Sequence, residues 1–114
     1  MTVFVNESSK SILSGISKMK TAMIEDYKNQ MSMLDGTKFA EGFEVKYGSK
    51  YIKLLTNNGD RVTAFIVGVD TDKKFKKGDI LKPAGWAVPA RNAARGNILD
   101  GGYKINWTGP VYLK

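Results

Sequence analysis

The chain has 114 residues, 42% apolar and 25% charged, with a net charge of +7; this is the composition of one ordinary globular domain, residues 1–114, small enough to gain stability by self-association. It contains no cysteine and no histidine, which removes disulfides, thiolate nucleophiles, Cys/His zinc sites and imidazole acid–base chemistry. No apolar run approaches the ~18 residues of a membrane span, and the opening MTVFVNESSK lacks the basic-then-apolar pattern of a secretion signal, so a cytoplasmic protein is expected.

Asn6 to Leu34 reads as one long helix. Asn6, Ser8 or Ser9 supplies the N-cap, and Ile12, Ile16, Met19, Met23, Tyr27, Met31 and Leu34 recur in steps of three and four along one face. Asp35 and Gly36 end it, with Gly36 suited to the left-handed position past a helix C-terminus. Four of its residues, Met19, Met23, Met31 and Met33, are flexible thioethers, which suit either an adaptable docking surface for a partner or ordinary packing on the domain's own sheet.

From Phe39 the period changes to two, and Phe39 to Tyr47 reads as a half-buried strand. Gly48 and Ser49 turn the chain into a second strand, Tyr51 to Thr56, followed by a tight hairpin at Asn57 to Asp60 and a long third strand, Arg61 to Val69. Asp70 to Lys77 is a charged connection in which Asp70 and Asp72 suit a loop entrance, and Ile80 to Lys82 is a short strand closed by Pro83 and Gly85. Val88 to Gly96 has the composition of a short helix, with Pro89 at its first position, alanines inside, Gly96 beyond its end, and Arg91 and Arg95 on one face. Tyr103 to Trp107 is the last strand, broken by Gly109 and Pro110 before Val111 to Lys114.

The expected fold is mainly β. An amphipathic helix within residues 6–35 precedes a strongly bent, five-stranded antiparallel small barrel over residues 38–114, with the short helical insertion before the last strand, because an open sheet of this size would leave edges exposed.

Charge is unevenly spread along this order. Residues 1–36 carry four lysines against four acids and residues 37–72 five basic residues against five acids, so the final third holds the whole excess, nine basic residues against Asp79 and Asp100. That asymmetry points to a polyanionic partner, although a solvated basic face that aids solubility has the same signature. The candidate nucleic-acid-binding residues are Lys73, Lys74, Lys76, Lys77, Lys82, Arg91 and Arg95 as phosphate contacts, with Phe75 and Trp86 as the aromatics most suited to stack on bases. Phe75, between charged neighbours in a loop, is expected to be the most exposed.

No nucleophile and base stand together, and no G-x-x-x-x-G-K-[ST] loop or G-x-S-x-G elbow occurs, so an enzyme, a metal site and a small-molecule cofactor are not expected. The expected function is a homo-oligomeric module binding single-stranded RNA or DNA. The competing reading is a structural or regulatory protein that binds another protein through the Met-rich helix.

The order of one amphipathic N-terminal helix and five bent strands resembles the Sm/LSm proteins, small barrels that form rings and bind single-stranded RNA; the likeness lies in element order, and no Sm site residue is carried over from it. The runs FKKGDILK at Phe75 to Lys82, WAVPARNAARGNI at Trp86 to Ile98 and WTGPVYL at Trp107 to Leu113 resemble small uncharacterised proteins encoded by phages, including marine cyanophage-like genomes. Together these resemblances imply a phage-encoded Sm-like barrel, acting on phage RNA or DNA in the cytoplasm of an infected host, or on a host or virion protein under the competing reading.

Overall fold

The structure is a computed structural model that describes residues 3–5, 7–31 and 36–110. In chain order it comprises β1 (Val3–Val5), α1 (Ile12–Gln30), α2 (Thr37–Glu41), β2 (Glu44–Tyr47), β3 (Tyr51–Thr56), β4 (Arg61–Val67), β5 (Ile80–Leu81), β6 (Tyr103–Asn106) and β7 (Gly109–Pro110). The strands form two antiparallel sheets, one ordered β1-β6-β7 and one ordered β2-β3-β4-β5. The expected five-stranded barrel is therefore not formed: the first strand pairs with the penultimate one to make a separate sheet, and the two sheets are not joined into a closed ring of strands.

Helix α1 follows the expected period but starts and stops inside the expected limits. Its N-cap is Ser11, whose hydroxyl accepts from the Ser14 N–H at 3.2 Å. Ser8 and Ser9 precede it in a connection whose Ser9 N–H donates to the Leu99 carbonyl; Asn6 lies outside the described residues. The helix ends at Gln30, and Gly36, with φ +82°, occupies the left-handed N-cap position of α2 instead of closing α1; Met33, Leu34 and Asp35 lie outside the described residues.

Ile16, Met19, Ala22 and Met23 face inward and join Ile52, Leu54, Ala64, Ile66, Ile80 and Ile105 in the main core. Met19 and Met23 are wholly buried there. The same face carries Gly15, where an added Cβ would lie 2.6 Å from the Ile98 carbonyl oxygen and 2.8 Å from its Cγ1. An alanine inside a helix usually gains up to ~1 kcal/mol over glycine. Here overpacking against a buried neighbour costs about 1–3 kcal/mol and wins, so Gly15→Ala is expected to lower the urea midpoint, and a raised midpoint would refute the close approach.

The segment expected to begin the sheet is mostly not strand. Thr37–Glu41 is helical and directs Phe39 onto the Tyr27 ring of α1, centroids 4.7 Å apart, so only Glu44–Tyr47 remains for β2. The hairpin between β3 and β4 forms where the sequence places it, with Thr56 paired to Arg61 and Asn57, Asn58 and Gly59 all at positive φ, which asparagine and glycine tolerate best. A register shift at Leu54/Leu55 leaves Thr63 out of the pairing, and its hydroxyl donates to the Leu54 carbonyl at 3.0 Å. Near the chain's end, Gly109 and Pro110 do not break the sheet but form β7, folding back on Asn106 and Ile105.

The expected helix over Val88 to Gly96 is absent. The Ala90 N–H donates to the Lys82 carbonyl, the Arg95 N–H to the Ile80 carbonyl, and the Ile80 N–H to the Gly96 carbonyl. Backbone bonding thus runs across the chain instead of four residues back, and it covers the outer edge of β5. The opposite edge of that sheet, on β2, has no partner strand among the described residues.

Candidate nucleic-acid interface

Cross-strand register places Lys46 opposite Lys53, Lys53 opposite Phe65, and Phe65 opposite Leu81, so one row of this sheet runs from two lysines into two apolar residues. The apolar end is covered by the long connection after β4, which supplies Phe75 to a second small core with Phe65, Val67 and Leu81. Phe75 is therefore buried, only 6% exposed, and not the exposed stacking residue expected from its charged neighbours. Its apolar ring outweighs local charge because β4 and β5 present an otherwise bare outer face.

Asp72 fixes this covering loop. Its carboxylate accepts the backbone N–H groups of Lys74 at 2.8 Å and Phe75 at 3.0 Å, a local loop-forming pattern, and its side chain is fully buried. The Arg91 guanidinium grips it with two bonds, at 2.9 and 3.0 Å, while the Lys50 ammonium sits 3.0 Å away. Arg91 also donates to the Tyr51 hydroxyl and lies 4.9 Å over the Phe75 ring. Arg91 first, then the two backbone N–H groups and Lys50, hold the Asp72 carboxyl far below the usual carboxylate range.

A carboxyl depressed in the folded state contributes stability that is fully present above its unfolded value, near 3.8, and is lost as pH falls below it. Asp72→Asn is expected to lower stability at neutral pH and to flatten the loss on acidification, as read from urea midpoints at neutral pH and near pH 3. Parallel pH profiles for the two proteins would contradict this role.

The nine residues singled out from the sequence do not make one strip. Arg91 is committed to Asp72, and the Lys74 ammonium donates to the Arg91 carbonyl. Lys76 pairs with Asp100 at 2.6 Å in solvent, a contact that contributes little. Lys82 is half-buried and donates to the Pro110 carbonyl at 2.7 Å; burial first, then Arg95 and Arg61, lower its pKa. The Arg95 guanidinium bonds the Ala93 carbonyl, and Arg91 and Arg95 share no helical face. Lys73 and Lys77 are exposed. Trp86 is 55% exposed, with the Lys53 ammonium 4.8 Å from its ring.

That last contact joins the loop to residues that charge counting along the chain passed over. A cleft of about 400 Å³ is lined by Lys46, Tyr47, Lys50, Tyr51, Lys53 and Ala87, among others, and none of its lining residues is acidic. Tyr47 stands at its rim, 62% exposed. The three lysines were hidden because residues 37–72 balance in sequence, yet none of that segment's five acids lines the cleft, and only Asp72 reaches one of the lysines, Lys50, from behind. Pairing Lys46 with Lys53 across the Gly48–Ser49 turn was the signal available.

Among the described residues no cluster of three acidic side chains is placed to hold a metal ion, and no helix is long and apolar enough to cross a membrane. No curated protein and no solved structure matches the chain. One family model does, over residues 4–112, nearly the whole length, and the chain thus belongs to a family of unknown function, DUF7717.

Proposed function

We propose that the protein binds single-stranded nucleic acid in the cleft between the β2–β3 hairpin and the loop carrying Trp86. The observation that supports this most is a cleft that Lys46, Lys50, Lys53 and the exposed Tyr47 line without any acid, with the exposed Trp86 against Lys53. Lysine ammoniums neutralise phosphates and release condensed counterions, and a solvent-facing aromatic accepts any base face, so binding is salt-dependent and tolerant of sequence. On the resemblance of the C-terminal half to phage-encoded proteins, the strand is one exposed while phage RNA or DNA is processed.

The test is fluorescence anisotropy with labelled oligonucleotides over a salt series. Losing a stacking platform costs about 1–3 kcal/mol per base, so Trp86→Ala is expected to weaken binding by roughly 5- to 150-fold with the salt slope unchanged. Absence of binding at low salt, or full affinity in the variant, would reject the proposal.

A further inference from the structure

A second cavity, of about 430 Å³, shares no lining residue with the cleft. It opens between the end of α1, α2, the β3–β4 turn and the β6–β7 turn. Its walls include Tyr27, Phe39 and Trp107, all half-buried. The three rings hold one another in place: Tyr27 and Phe39 are stacked, and Trp107 meets both edge-to-face at 5.3 and 6.1 Å. The buried Asp26 carboxylate accepts the Trp107 backbone N–H at 2.9 Å, which pins the third ring through its own main chain.

The polar side of this cavity is cationic. Arg61 lies 5.7 Å over the Trp107 ring, and Lys38 also lines the space. No acid is among the lining residues. Asn57 and Asn58, exposed and held at positive φ by the hairpin, add carboxamides that offer a donor and an acceptor each.

Aromatic wall, cationic rim and paired amides are three different chemical demands. A planar heteroaromatic ring with a hydrogen-bonding edge and a phosphate answers all of them at once: the ring stacks, the edge meets the carboxamides, and the planar guanidinium takes the phosphate. The volume falls within the usual range of small-molecule sites, about 300–1,000 Å³. We infer that this cavity, formed by Tyr27, Phe39, Trp107, Arg61 and the Asn57–Asn58 turn, binds a nucleoside monophosphate. The inference goes beyond strand binding and stands on separate residues.

The chain has two tryptophans, so Trp86→Phe leaves Trp107 as the sole reporter. In that background, AMP is expected to change Trp107 fluorescence with half-saturation below about 1 mM. Ribose 5-phosphate, which lacks the ring, and adenosine, which lacks the phosphate, are each expected to bind about tenfold more weakly than AMP or worse, the first through the lost stacking and the second through the lost charge-assisted bond.

Adding Arg61→Ala should raise the AMP half-saturation by a similar factor. Arg61→Lys, which keeps charge without the fork, should fall between, and circular dichroism checks that both fold. If the alanine variant does not fold, the lysine variant alone carries the comparison. In two-dimensional NMR, the Asn57 and Asn58 side-chain amides should shift with AMP. No response to AMP at 10 mM, equal binding of ribose 5-phosphate, or indifference to both Arg61 substitutions would overturn the assignment. None of these readings depends on the oligonucleotide titration, so strand binding can fail while nucleotide binding holds, and the reverse.

Discussion

Replacing Lys46 and Lys53 together with alanine, and leaving Lys50 on Asp72, is expected to weaken oligonucleotide binding by roughly 25-fold at 0.1 M salt. Each phosphate neutralised on a single strand contributes about 0.7 to the slope of log affinity against log salt, so two lost contacts should make that slope shallower by about 1.4. Both quantities come from one anisotropy series. The slope is the more telling of the two, because a fold defect lowers the amount of active protein and leaves the slope untouched. Replacing Lys76 and Lys77 instead should matter much less, since Lys76 is spent on Asp100 and neither residue lines the cleft. A large loss from that second pair, with the hairpin lysines neutral, would move the interface elsewhere.

Met23→Ala carries the largest expected effect on stability. Met23 is wholly buried between α1 and the sheets, and truncating a long core side chain costs about 2–5 kcal/mol through lost burial and the cavity left behind. For a domain of this size that lowers Tm by at least about 8 °C. Met31→Ala, at a residue 38% exposed beyond the end of the helix, should stay within about 0.5 kcal/mol of the parent. The contrast bears on whether the methionine face of α1 serves a partner. Two of its methionines are core residues of this domain, and a near-neutral Met23→Ala would favour the docking alternative.

How far the sequence spoke for itself depended on whether the deciding interactions were local. The helix face from Ile12 to Tyr27 and the Asn57–Asp60 hairpin are set by side-chain period and by backbone angles that few residues tolerate, and both were legible. Phe39 to Tyr47 alternated like a strand, but Gly36 starts a turn of helix there and Phe39 finds its place against Tyr27, a contact that no local pattern encodes. The alanines between Pro89 and Gly96 favour a helix in isolation. In the fold, the Ala90 N–H bonds the Lys82 carbonyl and the Arg95 N–H that of Ile80, and tertiary pairing overrides propensity.

The candidate site was half legible for a related reason. Counting charge along the chain found Trp86 and the basic loop but treated Asp72 as a plain turn residue, whereas it accepts Arg91 and Lys50 from either side. The same count cancelled Lys46 and Lys53 against acids near in sequence and absent from the cleft. Strand register, not composition, sets Lys46 beside Lys53, whose ammonium lies at Trp86.

The two ends of the four-stranded sheet differ in what they leave available. Beyond β5 the chain's own residues 90–96 already occupy the main-chain donors and acceptors, whereas β2 has no partner strand on its outer side among the described residues. Copies that add strand to strand on this sheet therefore have a single docking side each. Such units close as a two-fold pair and stop, because a ring or a fibre requires two complementary sides per copy.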